Sequence, residues 1–153
     1  MSPEEVMQEI EKEEVQFVCL SFCDIYGTEH NITVMPSELS RAMKSGIPLD
    51  ASLVAGFHLD TKIDLLAFPV PDTLSRLPQS LADEELGAAM RMCADIYLPD
   101  GTRFENDPRA ILEKAVKEAE SRGYRFNFGP AIEFYLFENG GTEGTHQPFD
   151  HAG

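Results

Sequence analysis

One acidic side chain has an unusual setting, because Glu133 lies inside the apolar run GPAIEFYLF from Gly129 to Phe137. An ionised carboxylate in an apolar environment costs roughly several kcal/mol unless it meets a cation, a metal ion or a hydrogen-bond donor. Mg²⁺ and Mn²⁺ are two such partners, since they take oxygen ligands and often bind few carboxylates together with a substrate phosphate. The pattern alone leaves three explanations open for Glu133: a metal ligand, an ion pair, or an edge-strand acid that faces water.

The residues around Glu133 predict a single long strand from Tyr124 to Phe137, bent or bulged near Gly129-Pro130. Alternate side chains of a strand share a face, so the apolar residues at even positions from 132 to 136 form a predicted core face. Glu133 then lies on the opposite face, between Ala131 and Tyr135, which suits the wall of a cavity.

Other residues that could do chemistry have simpler interpretations. The spacing of Cys19 and Cys23 along one predicted strand is too long for a disulfide, and with Cys93 they offer no second pair for a zinc site, so all three are expected to be reduced core residues. Asp64, at the start of a predicted strand, is expected to form a turn or a subunit contact. The histidines lie in predicted turns, a loop and the C-terminal tail, and none is expected to do chemistry: His30, His58, His146 and His151.

Composition limits the classes of partner. The 153 residues suffice for one ordinary domain, or for a small domain and part of a second. A net charge of -15, from 27 acidic and 12 basic residues, argues against binding to nucleic acid or anionic lipid. No stretch approaches the roughly 20 apolar residues that span a bilayer, and the acidic N-terminus lacks the apolar region of a signal peptide. We therefore expect a cytoplasmic protein with no nucleic-acid or membrane partner.

The elements of the first hundred residues predict a small mixed sheet with one helix packed across it. Helix boundaries follow from capping residues, and strands follow from aromatic and β-branched runs. The predicted elements are a helix from Ser2 to Glu14, strands over 15–26 and 31–35, a helix over 36–46, a loop over 47–57, a strand over 63–68, an acidic linker over 78–87 and a strand over 88–98.

The pattern changes at Phe104. Asn106 or Asp107 is the predicted N-cap of a helix with Pro108 as its first residue, and apolar residues recur at helical spacing until Gly123. This helix, the strand that contains Glu133 and a loop over 138–153 predict the opening of a larger domain.

Five motifs, taken in their order along the chain, resemble the N-terminal part of glutamine synthetase from about Val15 onward. They are FCDIYGTEHNITVMPSEL, LDASLVAGF, DLLAFP, ADIYLPDGTRFENDPRAIL and FNFGPAIEFYLF. The resemblance implies an α+β fold with an N-terminal helix and β-grasp domain over residues 1–103. For residues 104–153 it implies the truncated start of an α/β catalytic domain, namely its first helix and strand.

The resemblance also implies a reaction and its cofactors. In the family, ATP phosphorylates the γ-carboxylate of glutamate and ammonia displaces the phosphate, while Mg²⁺ or Mn²⁺ stabilises the charge that develops on oxygen. The sites lie between neighbouring subunits of a homo-oligomeric ring. Asp50 matches the loop aspartate that binds ammonium and accepts its proton. Glu133 matches the second glutamate of the family's Gly-Pro-Glu-x-Glu-Phe strand, which is a metal ligand.

Three positions depart from the family pattern. Ala131 stands where the first glutamate of that strand is usual, and alanine offers no oxygen to a metal. Leu53 replaces a serine that is common in the family's loop around Asp50. Val70 replaces an aspartate often found after the Phe-Pro pair. The remaining family ligands, the ATP pocket and the glutamate-binding arginines would lie beyond Gly153, so the resemblance implies an incomplete active site in these residues. Two alternatives stay open, a non-catalytic β-grasp assembly or regulatory module and part of a γ-glutamyl-amine ligase.

Overall fold

The computed structural model describes residues 1–57, 64–78 and 87–135 of the chain. Besides the regular elements, single 3-10 turns span Ala51–Leu53 and Pro71–Thr73. The helices and strands in chain order are α1 Pro3–Lys12, β1 Val15–Cys23, β2 Glu29–Val34, α2 Pro36–Ser45, β3 Ile47–Leu49, β4 Leu65–Pro69, β5 Ser75–Arg76, β6 Ala88–Tyr97 and α3 Pro108–Ser121.

The strands form one mixed sheet in the order β2-β1-β6-β4-β3, and the short β5 pairs with β6 outside this order. β1 and β6, which are distant in sequence, are neighbours and run parallel, whereas the other pairs are antiparallel. A parallel central pair formed by the first and last strands, with a helix between them in sequence, confirms the predicted α+β, β-grasp architecture.

The core lies between this sheet and two helices. In β6, buried and half-buried residues alternate from Met90 to Tyr97, as expected for a strand with one covered face. α1 buries Val6 and Ile10, and α2 buries Leu39 and Ala42. Each large apolar side chain removed from water contributes about 1.5–3 kcal/mol, which makes this layer the main source of stability.

The predicted helix boundaries are largely confirmed. Ser2 caps α1 through a capping box, in which its Oγ accepts from the backbone N–H of Glu5 and the Glu5 carboxylate accepts from the N–H of Ser2. α1 ends at Lys12, two residues earlier than predicted. Gly46 ends α2 with a φ of 70°, a value that glycine adopts without strain.

Several strand predictions need correction in the first hundred residues. β2 begins at Glu29, so His30 lies in a strand and not in a predicted turn, and the short β5 was not predicted. β1 ends at Cys23 and not at Tyr26, because the Asp24 carboxylate accepts hydrogen bonds from the turn that follows. The stretch 47–57 is not all loop, since β3 pairs with β4. Pro48 is tolerated in β3 because this strand forms an edge of the sheet. Ile63, His58 and most of the predicted linker 78–87 lie outside the described residues.

The predicted long strand from Tyr124 to Phe137 is not formed in the part that the structure describes. Residues 124–135 have no regular secondary structure and are exposed. The predicted core-face residues Ile132 and Phe134 are 85% and 71% exposed. A strand needs a neighbour to satisfy its N–H and C=O groups, and no described strand pairs with this segment.

Candidate functional site

Residues 50–57, here called the aspartate loop, follow the edge strand β3. Asp50 is exposed and is the N-cap of the 3-10 turn Ala51–Leu53. Its Oδ1 accepts a hydrogen bond from the backbone N–H of Ser52 at 2.9 Å and another from Ser52 Oγ at 2.6 Å. These two bonds help to orient the Asp50 carboxylate on the protein surface.

Apolar side chains anchor the aspartate loop to the core. Ala51, Val54 and Phe57 are buried, and Phe57 has no exposed surface. The Phe57 ring stacks on Phe22 of β1 at a centroid distance of 6.0 Å and meets Phe104 edge-on at 5.1 Å. The loop therefore combines a water-facing carboxylate with a buried base, which is how a binding residue is held on a rigid scaffold.

Asp24 and His30 form a second polar group near the loop. No role was predicted for Asp24, and His30 was expected to do no chemistry. Asp24 is buried in the turn that joins β1 to β2. Its Oδ1 accepts from the N–H of Tyr26 at 2.8 Å and of Thr28 at 2.9 Å, and Oδ2 lies 3.3 Å from His30 Nε2. The sequence DIYGT carries a signal for this arrangement, because an aspartate three residues before a glycine is typical of a side-chain-stabilised turn.

The hydrogen bonds decide the protonation state of Asp24. Burial alone would raise the pKa of this carboxyl group, but the N–H of Thr28, the His30 ring and the N–H of Tyr26 bind the charged form and hold its pKa below the ordinary value. Asp24 is thus a carboxylate at neutral pH, and its charge has a structural use inside the turn.

Glu133 lies in the irregular segment after α3, where it is exposed. Ala131, two residues before it, supplies no oxygen. Within the residues that the structure describes, no group of three or more His, Cys, Asp or Glu side chains could hold a metal ion. One carboxylate without further ligands does not fit a catalytic metal centre, so these residues do not make one by themselves.

A polar network joins β6 to the start of α3. Arg103 pairs with Asp95 at 3.0 Å and with Asp107, and Arg109 Nε donates to Asp95 Oδ1 at 2.8 Å. Burial would lower the pKa of Arg109, but its hydrogen bond to Asp95 raises it above the ordinary value, so the guanidinium stays charged. Asp107 is fully buried and accepts from the backbone N–H groups of Ile96 and Arg109. The sequence predicted Asn106 or Asp107 as the N-cap of α3, and the structure shows Asp107 in this role. The network was not predicted.

The apolar stripe of α3 is exposed. No residue of α3 is buried, and its stripe borders a groove of about 420 Å³ that also involves the segment after the helix. Exposed apolar surface of this kind marks a contact site for a protein, a membrane or a ligand. The groove is lined by Leu112, Ala115, Val116, Ala119, Tyr124, Phe126 and Phe128, among others.

The remaining residues singled out in the sequence are the three cysteines, two of the histidines and Asp64. The three cysteines are free thiols, as predicted, but they are half-buried on the sheet instead of lying in the core. His146 and His151 lie outside the described residues, while Asp64 is exposed just before β4. None of the helices in the described ranges has the length and apolar character needed to cross a membrane.

Comparison with known proteins gives matches along most of the chain. Residues 14–99 match the family model of the glutamine synthetase beta-Grasp domain, and residues 105–152 match that of the glutamine synthetase catalytic domain. Glutamine synthetase of Methanosarcina mazei is 35% identical over 156 residues, which cover 97% of this chain and 34% of that protein. The enzyme of the same name from Thermotoga maritima is 34% identical over 154 residues, covering 100% of this chain and 34% of its own length.

The chain therefore spans about a third of the length of these curated relatives. Among solved structures, the GmaS/ADP complex in conformation 1 superposes with a TM-score of 0.66 at 20% sequence identity, covering 76% of this chain and 26% of that one. At this level of identity the likeness concerns the fold.

Proposed function

The chain belongs to the glutamine synthetase family, and we propose from this premise that it contributes to a ligase that condenses glutamate with ammonia through γ-glutamyl phosphate. ATP is the proposed phosphoryl donor, and the proposed location is the cytoplasm, where ATP and glutamate are available. The observation that carries the proposal is an exposed, oriented carboxylate, Asp50, on the aspartate loop of a β-grasp domain.

The proposed organisation has two parts. Residues 1–103 form the N-terminal helix and β-grasp domain, and residues 104–153 form the start of the catalytic domain. The separate family matches over 14–99 and 105–152 support a division near this point. The change from a buried sheet to a helix with no buried residue supports it as well.

Asp50 has a specific role in this proposal. The carboxylate of an aspartate can attract an ammonium ion and can accept its proton when the amine attacks an acyl phosphate. The Ser52 N–H and hydroxyl occupy Oδ1 and orient the carboxylate for this task. We propose that the partner surface is a neighbouring subunit of a homo-oligomeric ring, which brings the phosphorylated glutamate to the loop.

Glu133 is the residue that we propose as a metal ligand of this chain. A divalent cation, Mg²⁺ or Mn²⁺, would supply charge stabilisation at the phosphoryl group when bound. The described residues offer only this one carboxylate at the family's ligand strand, with Ala131 at the other position. Further oxygen ligands must come from outside the described residues.

Leu53 favours a second candidate within the same chemistry, a γ-glutamyl-amine ligase. Leu53 is 78% exposed and is the last residue of the 3-10 turn that Asp50 caps. An exposed alkyl group therefore lies in the same short loop as the carboxylate. An alkylammonium ion can contact both groups, whereas ammonium uses only the charge.

The function is tested by mixing subunits. The chain is co-expressed with a Methanosarcina mazei glutamine synthetase variant that is inactivated at the position aligned with Asp50, and ATP- and glutamate-dependent phosphate release is measured with ammonium and with methylamine. We expect restored activity from the wild-type chain and from Glu38→Gln, an exposed acid on α2 that serves as the matched control. We expect no restoration from Asp50→Asn.

Each outcome separates the candidates. Equal restoration by Asp50→Asn would refute the role of Asp50. Co-purification without any restored activity would instead favour the non-catalytic assembly module, which Ala131 also favours. A higher rate with methylamine, reversed by Leu53→Ser, would favour the amine ligase.

A further inference from the structure

The turn between β1 and β2, residues 24–28, lies directly against the aspartate loop. The backbone N–H of Ile25 donates to the carbonyl oxygen of Ala55 at 3.4 Å. Gly56 has a φ of +82°, and a Cβ at this position would lie only 2.2 Å from Ile25 Cγ2. The side chain of Ile25 therefore rests on the bare backbone of Gly56, a contact that no larger residue at position 56 would permit.

Asp24 determines the shape of this turn. Besides the two N–H groups that its carboxylate binds, its backbone N–H donates to Thr28 O at 3.0 Å, and its carbonyl accepts from Gly27 at 3.1 Å. These bonds close the turn from both ends. Ile25, the residue immediately after Asp24, consequently has little freedom to leave Gly56.

An aromatic layer links the same carboxylate to the base of the loop. The His30 ring, which meets Asp24 Oδ2, stacks on Phe22 at a centroid distance of 5.5 Å and an interplanar angle of 18°. Phe22 in turn stacks on Phe57, the buried end of the aspartate loop. Asp24 thus acts on the loop by two routes, through Ile25 at Gly56 and through His30 and Phe22 at Phe57.

We propose that Asp24 is a positioning residue for Asp50, because it holds the turn and the aromatic layer that together fix the aspartate loop on the sheet. The catalytic part of this inference rests on the proposed function of Asp50. Its structural part, the restraint of residues 50–57 by a buried carboxylate 26 positions earlier in the sequence, stands on the contacts alone.

Amide hydrogen exchange of the full 153-residue chain tests the structural part. Asp24→Asn keeps one acceptor oxygen but loses the charge. Ile25→Ala removes the contact on Gly56 without touching Asp24, and Ile25 is half exposed, so the chain should tolerate the change. For both variants we expect amides of residues 52–57 to exchange at least tenfold faster. We expect less than a twofold change at Ile96, whose N–H binds buried Asp107.

Ile10→Val in α1 is the control, because it lowers the stability of the same core from a site outside the turn. It should not accelerate the loop amides selectively. If the loop amides of Asp24→Asn and Ile25→Ala exchange within twofold of those of this control, the positioning proposal is wrong.

The mixed-subunit assay tests the functional part. We expect Asp24→Asn to raise the ammonium concentration for half-maximal rate at least fivefold, with a smaller change in the maximal rate, because a displaced Asp50 binds ammonium less well. Unchanged ammonium dependence, in an assay where Asp50→Asn abolishes restoration, would overturn the proposal. If Asp24→Asn loosens the loop while Asp50→Asn restores full activity, the positioning contact holds and the proposed function fails.

Discussion

Replacement of Asp107 by alanine should destabilise the protein far more than the loss of an ordinary helix cap. Asp107 has no exposed surface, and both of its carboxylate oxygens are used. Oδ1 accepts from the N–H of Arg109 at 3.0 Å, as expected for a cap of α3. Oδ2 accepts from the N–H of Ile96 at 3.1 Å and pairs with Arg103, which ties the helix to β6.

The magnitude follows from these partners. Loss of an N-cap costs about 1 kcal/mol. A buried N–H left without an acceptor, here that of Ile96, costs about 1–3 kcal/mol. Arg103 keeps Asp95 as a partner, so the loss of its ion pair with Asp107 adds less to the cost. The sum is about 3 kcal/mol, a large fraction of the roughly 5–15 kcal/mol that stabilises a typical domain.

Urea unfolding followed by circular dichroism measures this cost. With a denaturant slope of about 2 kcal/mol per molar, the midpoint of Asp107→Ala should fall by about 1.5 M. Asp107→Ser retains a capping oxygen and should recover about 1 kcal/mol of that loss. Asp107→Asn keeps the shape and the cap but turns a donor toward the N–H of Ile96, and should recover no more than the serine variant.

The comparison of these variants can refute the reasoning. If Asp107→Ala costs only about 1 kcal/mol and Asp107→Ser restores full stability, the residue is merely a cap. The bonds of Oδ2 to β6 would then contribute nothing to stability. A change in the slope of the transition would indicate altered compactness, so only variants with an unchanged slope enter the comparison.

Three further predictions follow from single contacts. The pKa of Asp24 in the folded chain is below its unfolded value of 3.8, so its stabilising effect is complete above pH 3.8 and is lost as the pH falls through the lower folded pKa. Asp24→Asn should therefore make the free energy of unfolding depend less on pH in this range. An unchanged pH profile would contradict the lowered pKa of Asp24. Gly56→Ala should destabilise the chain more than Gly101→Ala, since both glycines have positive φ but only Gly56 meets a side chain at 2.2 Å; equal unfolding free energies would count against the contact. Leu112→Lys, at a position 60% exposed, should change the unfolding free energy by less than about 0.5 kcal/mol while reducing self-association in analytical ultracentrifugation; a larger loss would show that Leu112 is packed.

Local signals in the sequence identified the three α-helices of the described residues and the main strands. Ser2, Gly46 and Asp107 mark helix boundaries through capping chemistry, which depends only on neighbouring residues. The long apolar runs of β1 and β6 were recognised for a similar reason. The short strand β3 was missed because three residues carry no periodicity, and its existence depends on pairing with β4.

The segment from Tyr124 to Tyr135 shows the opposite failure. Its alternating pattern is that of a strand, yet the described residues form none. Alternation states which face would be buried, but burial requires a partner surface and a ladder needs a neighbouring strand. The segment thus has a sequence that favours a strand but forms none, because no described strand lies beside it.

The candidate site was also predictable from the sequence only in part. The sequence indicated the family, the loop that carries Asp50, and the position of Glu133 two residues after an alanine, because motifs and residue types are local properties. Only the tertiary structure decided that Asp24 supports the aspartate loop and that Asp107 joins a helix to a strand. Both residues act through contacts between distant parts of the chain, and these depend on how the sheet brings its strands and turns together.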